Sequence, residues 1–447
     1  MSSDTRLIRA KSWLNRPVDA SSLVVFRVGF ALLMAWEAYW YVRSGRIDID
    51  WLIPEFHFKY FGFGWVEPLG HTGMYAVFLV LGIAAIGMLV GWKYRLCAFV
   101  VWLCFTYQFL LEQALYLNHF YAASLFALFL IFMPAHAAWS VDSMQGGRIT
   151  RVASIPAWPV YLLRFQTGVI YFYAGVAKIN RDWLNGDPIV SWMRARTDNL
   201  FVRVVFDLGL EIPVFAYGGM LIDLLLAPLL LWRRTRLPAF VIAVLFHLWN
   251  SALFTIGIFP AMMIVATTMF FEPDWPRRLV ARVRRRELAP APAAYSTSWQ
   301  LRDVGIAIVA LYATVQVLLP LRHHLYPGDV AWTEEGHRWA WRMMLREKTA
   351  NAHFVLVDQG KVTDVDVDRY LTFWQRRTMS LRPDMMQQFA HFLADDHERK
   401  TGRRPQVYAN SAVSLNFGKS ALLLKENVDL AATPKSLAPA DWINRSP

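Results

Sequence analysis

Cysteine is nearly absent: the chain has two in 447 residues. Both, Cys97 and Cys104, fall in one apolar run. That placement argues against a structural disulfide and leaves them as buried helix residues. Charge is scarce as well, at 18% of residues, where soluble domains carry about a quarter. That shortage excludes an ordinary soluble enzyme. There is no Walker loop, no His-Glu-x-x-His and no Cys-x-x-Cys, so the phosphate-loop, zincin and thiol-redox chemistries that use them are not indicated. His323-His324 stands without further ligands, so it reads as an interfacial loop and no metal site is expected. No internal repeat and no nucleic-acid motif is present. The first residues, 1–19, are polar and the first apolar run is too long for a signal-peptide core, so no cleaved leader is expected.

What the chain does have is apolar mass. Hydrophobic residues make up 56% of it, with 20 Trp, and mean hydropathy is +0.29. Apolar runs lie near residues 22–42, 72–90, 96–111, 116–134, 155–178, 212–232, 237–253, 256–271 and 304–319. Each approaches the ~20 residues that cross a bilayer core. The fold class expected is an all-α polytopic membrane bundle of about nine transmembrane helices, followed by a small extracytoplasmic α+β domain. Residues 1–320 form the first part and 321–447 the second.

The net charge of +12 sits in short loops. Arg6, Arg9, Lys11 and Arg16 precede the first run, Lys93 and Arg95 follow the second, and Arg148 and Arg151 follow the fourth. Arg233, Arg234 and Arg236 follow the sixth. Arg277, Arg278, Arg282, Arg284, Arg285 and Arg286 precede the last. With alternating spans all these loops share one side, which the positive-inside rule makes cytoplasmic. The N-terminus is then inside and everything after Pro320 outside.

That orientation gathers polar residues at the outer end of the bundle. Asn118-His119 opens the fourth run, Lys178 closes the fifth, and His247 with Asn250 ends the seventh. Lys178 taken alone reads as an interfacial anchor that snorkels to water. The convergence favours a site, because scarce water favours an uncharged amine that can act as a base. Tyr171 lies seven residues before Lys178, on the same helix face. Arg27, Glu37, Arg164 and Asp223 are the other intramembrane charges, and such groups pair or line cavities. Arg164 and Asp223 lie at matching depth, so an ion pair between them is expected, with Arg27 as competitor.

Beyond a basic, then Ala/Pro-rich linker, the C-terminal part reads as strands at 353–358 and 362–367, a helix at 383–400, and strands at 406–415 and 420–424.

Several segments in this order resemble vitamin K-dependent gamma-glutamyl carboxylases and their bacterial relatives, whose membrane part is the horizontally transferred transmembrane (HTTM) domain. They are Val25-Phe-Arg-Val, Gly87-Met-Leu-Val-Gly-Trp-Lys-Tyr-Arg95, Leu117-Asn-His-Phe-Tyr121 and Trp139-Ser-Val-Asp142. Then come residues 171–183, Gly218-Gly-Met-Leu-Ile-Asp223 and the stretch 246–259. Trp339-Ala-Trp-Arg-Met-Met344 and Val413-Ser-Leu-Asn416 follow. Two departures stand out. The longer members carry two adjacent lysines where this chain has Ala177-Lys178. Their acidic residue before the Met-Met pair is Arg342 here.

The resemblance implies an integral membrane enzyme, in a bacterial inner membrane or the endoplasmic reticulum. It uses vitamin K hydroquinone or menaquinol with O2 and CO2, and acts on glutamate in a peptide or protein. Quinol epoxidation yields the base that removes the glutamate γ-proton before CO2 adds. By the same resemblance Lys178 is the first base and His119 serves carboxylation. Asn118, Tyr171, His247 and Asn250 hold the quinol, and Trp341, Met343 and Met344 meet the peptide. Two alternatives remain: a quinol- and O2-dependent membrane enzyme with a different substrate, and a non-catalytic membrane transporter or scaffold.

Overall fold

The computed structural model describes residues 3–285 and 287–446, with side chains from Ile8 onward. Arg286 and the Arg6 side chain, both counted in the basic loops above, lie outside it. The chain is mostly helical. The membrane part contains α1 (Ser21–Arg43), α2 (His71–Val90), α3 (Tyr94–Leu111), α4 (Asn118–Phe132) and α5 (Trp158–Val176). It continues with α6 (Gly218–Leu231), α7 (Arg236–Leu253), α8 (Phe259–Thr267) and α9 (Asp303–Leu318).

Six helical runs among the described residues are long and apolar enough to cross a membrane: α1, α2, α3, α7, the run Ile212–Leu231 ending in α6, and the run Thr297–Leu325 containing α9. Helix α4 and the run Phe259–Phe270 are apolar but shorter. The expected nine crossings therefore stand at six by length and composition. The short helices have local causes. A left-handed Gly257 precedes α8, and an extended Leu117 sets the start of α4.

The Arg27 guanidinium, deep in α1, donates to the carbonyls of Ala135 and Trp139, both at 2.7 Å. Both its Nη groups are thus spent on backbone carbonyls, its Nε is buried without a partner, and it is no partner for Asp223. Asp142 accepts from the Lys93 and Tyr94 amides at 2.9 and 2.7 Å, satisfying orphan donors at the α3 start. Gly91 is left-handed, and a Cβ there would lie 2.3 Å from Ser140 Cβ. Three of the family-like segments are thus one structural knot at the end of the bundle away from Lys178.

The C-terminal part holds a four-stranded antiparallel sheet of β1 (Lys348–Asp358), β2 (Lys361–Asp364), β3 (Gln406–Leu415) and β4 (Ala421–Leu422), in the order β2-β1-β3-β4. Helix α10 (Pro383–Thr401) covers it. Ala352 and Phe354 alternate inward from β1 and meet Met386, Phe389 and Leu393 of α10 in one core. Strand β1 starts earlier than the sequence suggests because pairing continues to Lys348↔Leu415.

The two parts interpenetrate. Phe58, from the loop before α2, is buried in the C-terminal core, and the Phe56 ring packs tilted against Phe392 at 4.6 Å. In return Trp341 is fully buried in the membrane core, with Trp339 and Met343 packed beside it. Gln375 bridges them by donating to Glu112 at 2.8 Å and to the Phe56 carbonyl at 2.7 Å.

Candidate active site

Helix α5 ends at Val176, and the chain turns so that Asn180 caps the short helix Arg181–Leu184 through the Trp183 amide. Gly175, in the last turn of α5, touches Leu224 of α6. A Cβ there would lie 2.8 Å from the Leu224 amide nitrogen, so only glycine allows this approach. The contact fixes the register of α6 and brings Asp223 against the α5 end. Lys178 then folds back into the protein. Its Nζ donates to Asp223 Oδ2 at 2.7 Å and to the Ala174 carbonyl at 3.1 Å, and lies 5.2 Å from the Trp183 ring centre. Both partners are buried.

The expected Arg164–Asp223 pair is therefore corrected. Arg164 donates to the carbonyls of Met269 and Phe271 at 2.7 and 2.8 Å. Depth counting assumed that helices start from one common plane. The wide-turned segment Ile212–Tyr217 and the Gly175 contact set the register instead. The outward anchor reading of Lys178 is corrected by the same geometry.

Two turns before Lys178, the Tyr171 hydroxyl lies 2.5 Å from His247 Nε2. His247 is buried, and its Nδ1 has no partner. His119, also buried, packs its ring against Phe259 at 5.9 Å, and His247 packs against the same Phe259 at 6.0 Å. The two histidines thus share one aromatic neighbour. Asn250 lies one turn beyond His247 on α7 and is half-buried. Asn118 is a strut: it accepts from the Tyr116 hydroxyl at 3.0 Å and donates to the Arg342 carbonyl at 2.9 Å.

The three expected peptide contacts separate. Trp341 is fully buried and stacks on Tyr121 at 4.8 Å. Met343 packs into the membrane core. Met344 is exposed and lines an open cavity of about 570 Å³ between the C-terminal part and residues 192–196. Leu345 also lines that cavity. It belongs to the same apolar cluster as Ala177, Trp183 and Leu253, and Trp183 in turn packs on Lys178.

Sequence reasoning missed Asp223 as the Lys178 partner, although an aspartate inside an apolar run was a visible signal. It also missed a buried cluster beside the cavity. Glu334 accepts from Arg346 Nε at 2.8 Å and from Lys348 Nζ at 3.1 Å. His337 Nδ1 lies 3.3 Å from Glu334 Oε2, while its Nε2 is buried without a partner.

Burial pushes the His337 pKa well below 6.5, against the pull of Glu334. The unfolded chain then binds a proton below pH 6.5 that the folded chain refuses, so stability falls as pH drops through that value. Thermal melts from pH 7.5 to 5.5 are expected to show a falling Tm, and His337→Gln a flatter profile over the same range. Parallel profiles would contradict this assignment.

Asp182, close after Lys178, accepts from Asn416 Nδ2 at 2.7 Å. Asn416 also accepts from the Glu347 amide at 2.9 Å. The end of β3 is thereby tied to the turn that carries the lysine.

Residues 15–275 match the family model described as HTTM domain. Residues 301–447 match that of the vitamin K-dependent gamma-carboxylase, lumenal domain. No solved structure matches the chain. The two matches follow one another in the order of the membrane bundle and the sheet-containing part, and the chain belongs to the vitamin K-dependent gamma-carboxylase family.

Proposed function

We propose that the protein is a vitamin K hydroquinone-dependent carboxylase of protein glutamate, with Lys178 and Asp223 acting together as the first proton acceptor. The observation that carries this reading is the buried Lys178–Asp223 pair in a family of carboxylases. Ionisable groups at membrane depth are costly and mark function by default. The hydroquinone, with O2, supplies the strong base that the γ-proton of glutamate requires. His247 fits such a ligand: its unpartnered, buried Nδ1 needs a hydrogen-bonding group, and Tyr171 fixes its ring. An amine and a carboxylate 2.7 Å apart can pass a proton between them, so either can receive one and hold it near Lys178 Nζ. Trp183, Leu253 and Leu345 keep bulk water away, which protects a strong base from quenching. Met344 and the cavity above it are the route for the peptide, and the sheet-bearing part positions that peptide.

His119 lies across Phe259 from His247 and serves the step after proton abstraction. His119→Ala is expected to keep more epoxide formation than carboxylation, measured on the same purified sample. Equal loss of both would place His119 earlier or make its role structural.

The protein is a membrane protein with an extracytoplasmic C-terminal region. The loop charges put the N-terminus in the cytoplasm. An impermeant thiol reagent is expected to label Lys361→Cys, at an exposed hairpin, on intact cells. Gln145→Cys, in an exposed hairpin of the basic loop between α4 and α5, is expected to react only after lysis. Labelling of both on intact cells would reverse this topology.

A further inference from the structure

At the end of the bundle opposite Lys178, which the loop charges make cytoplasmic, lies a second cavity of about 330 Å³. It opens between the segment before α1, the start of α5 and the linker at residues 288–291. Its lining holds three carboxylates, and each has its own cation. Asp19 pairs with Arg277, Asp274 with Arg278 at 2.7 Å, and Glu272 with Arg236 at 3.2 Å. Two lining guanidinium groups, Arg16 and Arg164, make no ion pair among the described residues. Both lie 5.6 Å from the centre of one Tyr161 ring, and Trp13 stacks on that ring at 3.7 Å. Arg16 is exposed and donates to the Tyr161 hydroxyl. Arg164 spends Nε and Nη2 on the carbonyls of Met269 and Phe271, which leaves its Nη1 without a partner among the described residues. Two like charges held on one ring repel, and an anion between them turns that repulsion into attraction.

The helix Trp275–Val283 supplies an independent observation. Leu279, Val280 and Val283 share one face and are 54%, 47% and 75% exposed. Arg277, Arg278 and Arg282 lie on the opposite face, and no residue of this helix is buried. An uncovered apolar face with a basic face behind it is the pattern of a helix lying in the headgroup layer. Arg277 and Arg278 of this helix line the cavity, so the cavity sits at headgroup depth.

We propose that this cavity holds the headgroup phosphate of an anionic phospholipid from the inner leaflet. Guanidinium forks match phosphate oxygens, and Arg16 and Arg164 supply two of them from different parts of the chain. Arg282, Arg284 and Arg285, exposed on the adjoining segment, favour a lipid of net negative charge over a zwitterionic one. The bound headgroup joins the segment before α1 to the start of α5 and to the linker, so it stabilises that end of the bundle. The site stands apart from the carboxylation chemistry, and only the choice of leaflet follows from the orientation argued above.

The test uses the full chain in a neutral detergent, with dioctanoyl phosphatidylglycerol, dioctanoyl phosphatidylcholine and inorganic phosphate as separate probes. Thermal melts read the binding, because a ligand of the folded state raises Tm with its concentration. Phosphatidylglycerol is expected to raise Tm saturably, at concentrations at least about tenfold below those phosphatidylcholine needs. Inorganic phosphate over the same range is expected to give no saturable rise, because it has no chains to hold it at headgroup depth. Arg16→Gln, at an exposed position, should shift the phosphatidylglycerol response to higher concentration by a similar factor. Arg164→Gln should do the same where it folds, and Arg16→Gln decides where it does not. Arg234→Gln, exposed in another basic loop of the same end, removes the same charge and should keep the wild-type response. Equal losses in Arg16→Gln and Arg234→Gln would mean diffuse attraction and overturn the site. An equal response to both lipids overturns the charge preference, and an equal response to inorganic phosphate makes the ligand a soluble anion instead of a lipid.

Discussion

Lys178→Ala is expected to lose epoxide formation and carboxylation together, by roughly the 10²–10⁴-fold typical of a general base. It is also expected to lower folded yield, because it strands Asp223 in a buried position at a cost of about 3–5 kcal/mol. Asp223→Ala strands Lys178 and should lower yield in the same way. The double variant Lys178→Met/Asp223→Leu removes both charges and keeps apolar volume, so its folded yield should recover. Its turnover per folded molecule should not. A pair with only a structural role predicts the other pattern, with yield and turnover recovering together. Epoxide per monodisperse molecule, measured across the four proteins of this cycle, separates the two.

Glu334→Gln is expected to produce the largest purely structural loss. The carboxylate is buried between Arg346, Lys348 and His337, and Lys348 also donates to the Trp332 carbonyl at 2.8 Å. Burial alone would push the Glu334 pKa up, but Arg346 and Lys348 hold it well below 4.5. Removing the charge leaves the buried Lys348 and the half-buried Arg346 uncompensated, a loss of about 3–5 kcal/mol. At roughly 2–4 °C per kcal/mol that is a Tm drop on the order of 10 °C. A depressed carboxylate stabilises above its unfolded pKa and loses that contribution as pH falls through the folded one. The gap between wild type and Glu334→Gln should therefore be full at pH 7 and narrow below 4.5. A gap of constant size would show that charge is not its source.

Hydropathy made α1, α2 and α3 legible, because a bilayer-crossing helix announces itself by length. Helices α4 and α8 were placed but overdrawn, since the apolar runs around them continue through extended and left-handed residues such as Leu117 and Gly257. The strands were legible from alternation, and β1 was drawn short because its first residues, Lys348 to Asn351, look polar yet pair with β3. The sequence suggested one side of the membrane for His119, Lys178 and His247, and packing brings His119 and His247 to one Phe259. The contacts of the site were not legible. Asp223 was seen as an intramembrane charge and given the wrong partner, because helix register depends on the Gly175–Leu224 approach. The roles of Asn118 and Trp341 as strut and core residue depend on packing between the two parts, which no local pattern encodes.

The central claim is that the Lys178–Asp223 pair starts a quinol-driven carboxylation. Incorporation of labelled CO2 into a glutamyl peptide by purified protein, with and without vitamin K hydroquinone and O2, tests it most directly. The account predicts incorporation that requires both co-substrates and is lost in the well-folded Lys178→Met/Asp223→Leu protein. Incorporation by that double variant at the wild-type rate, or none by the wild type with both co-substrates present, would contradict it.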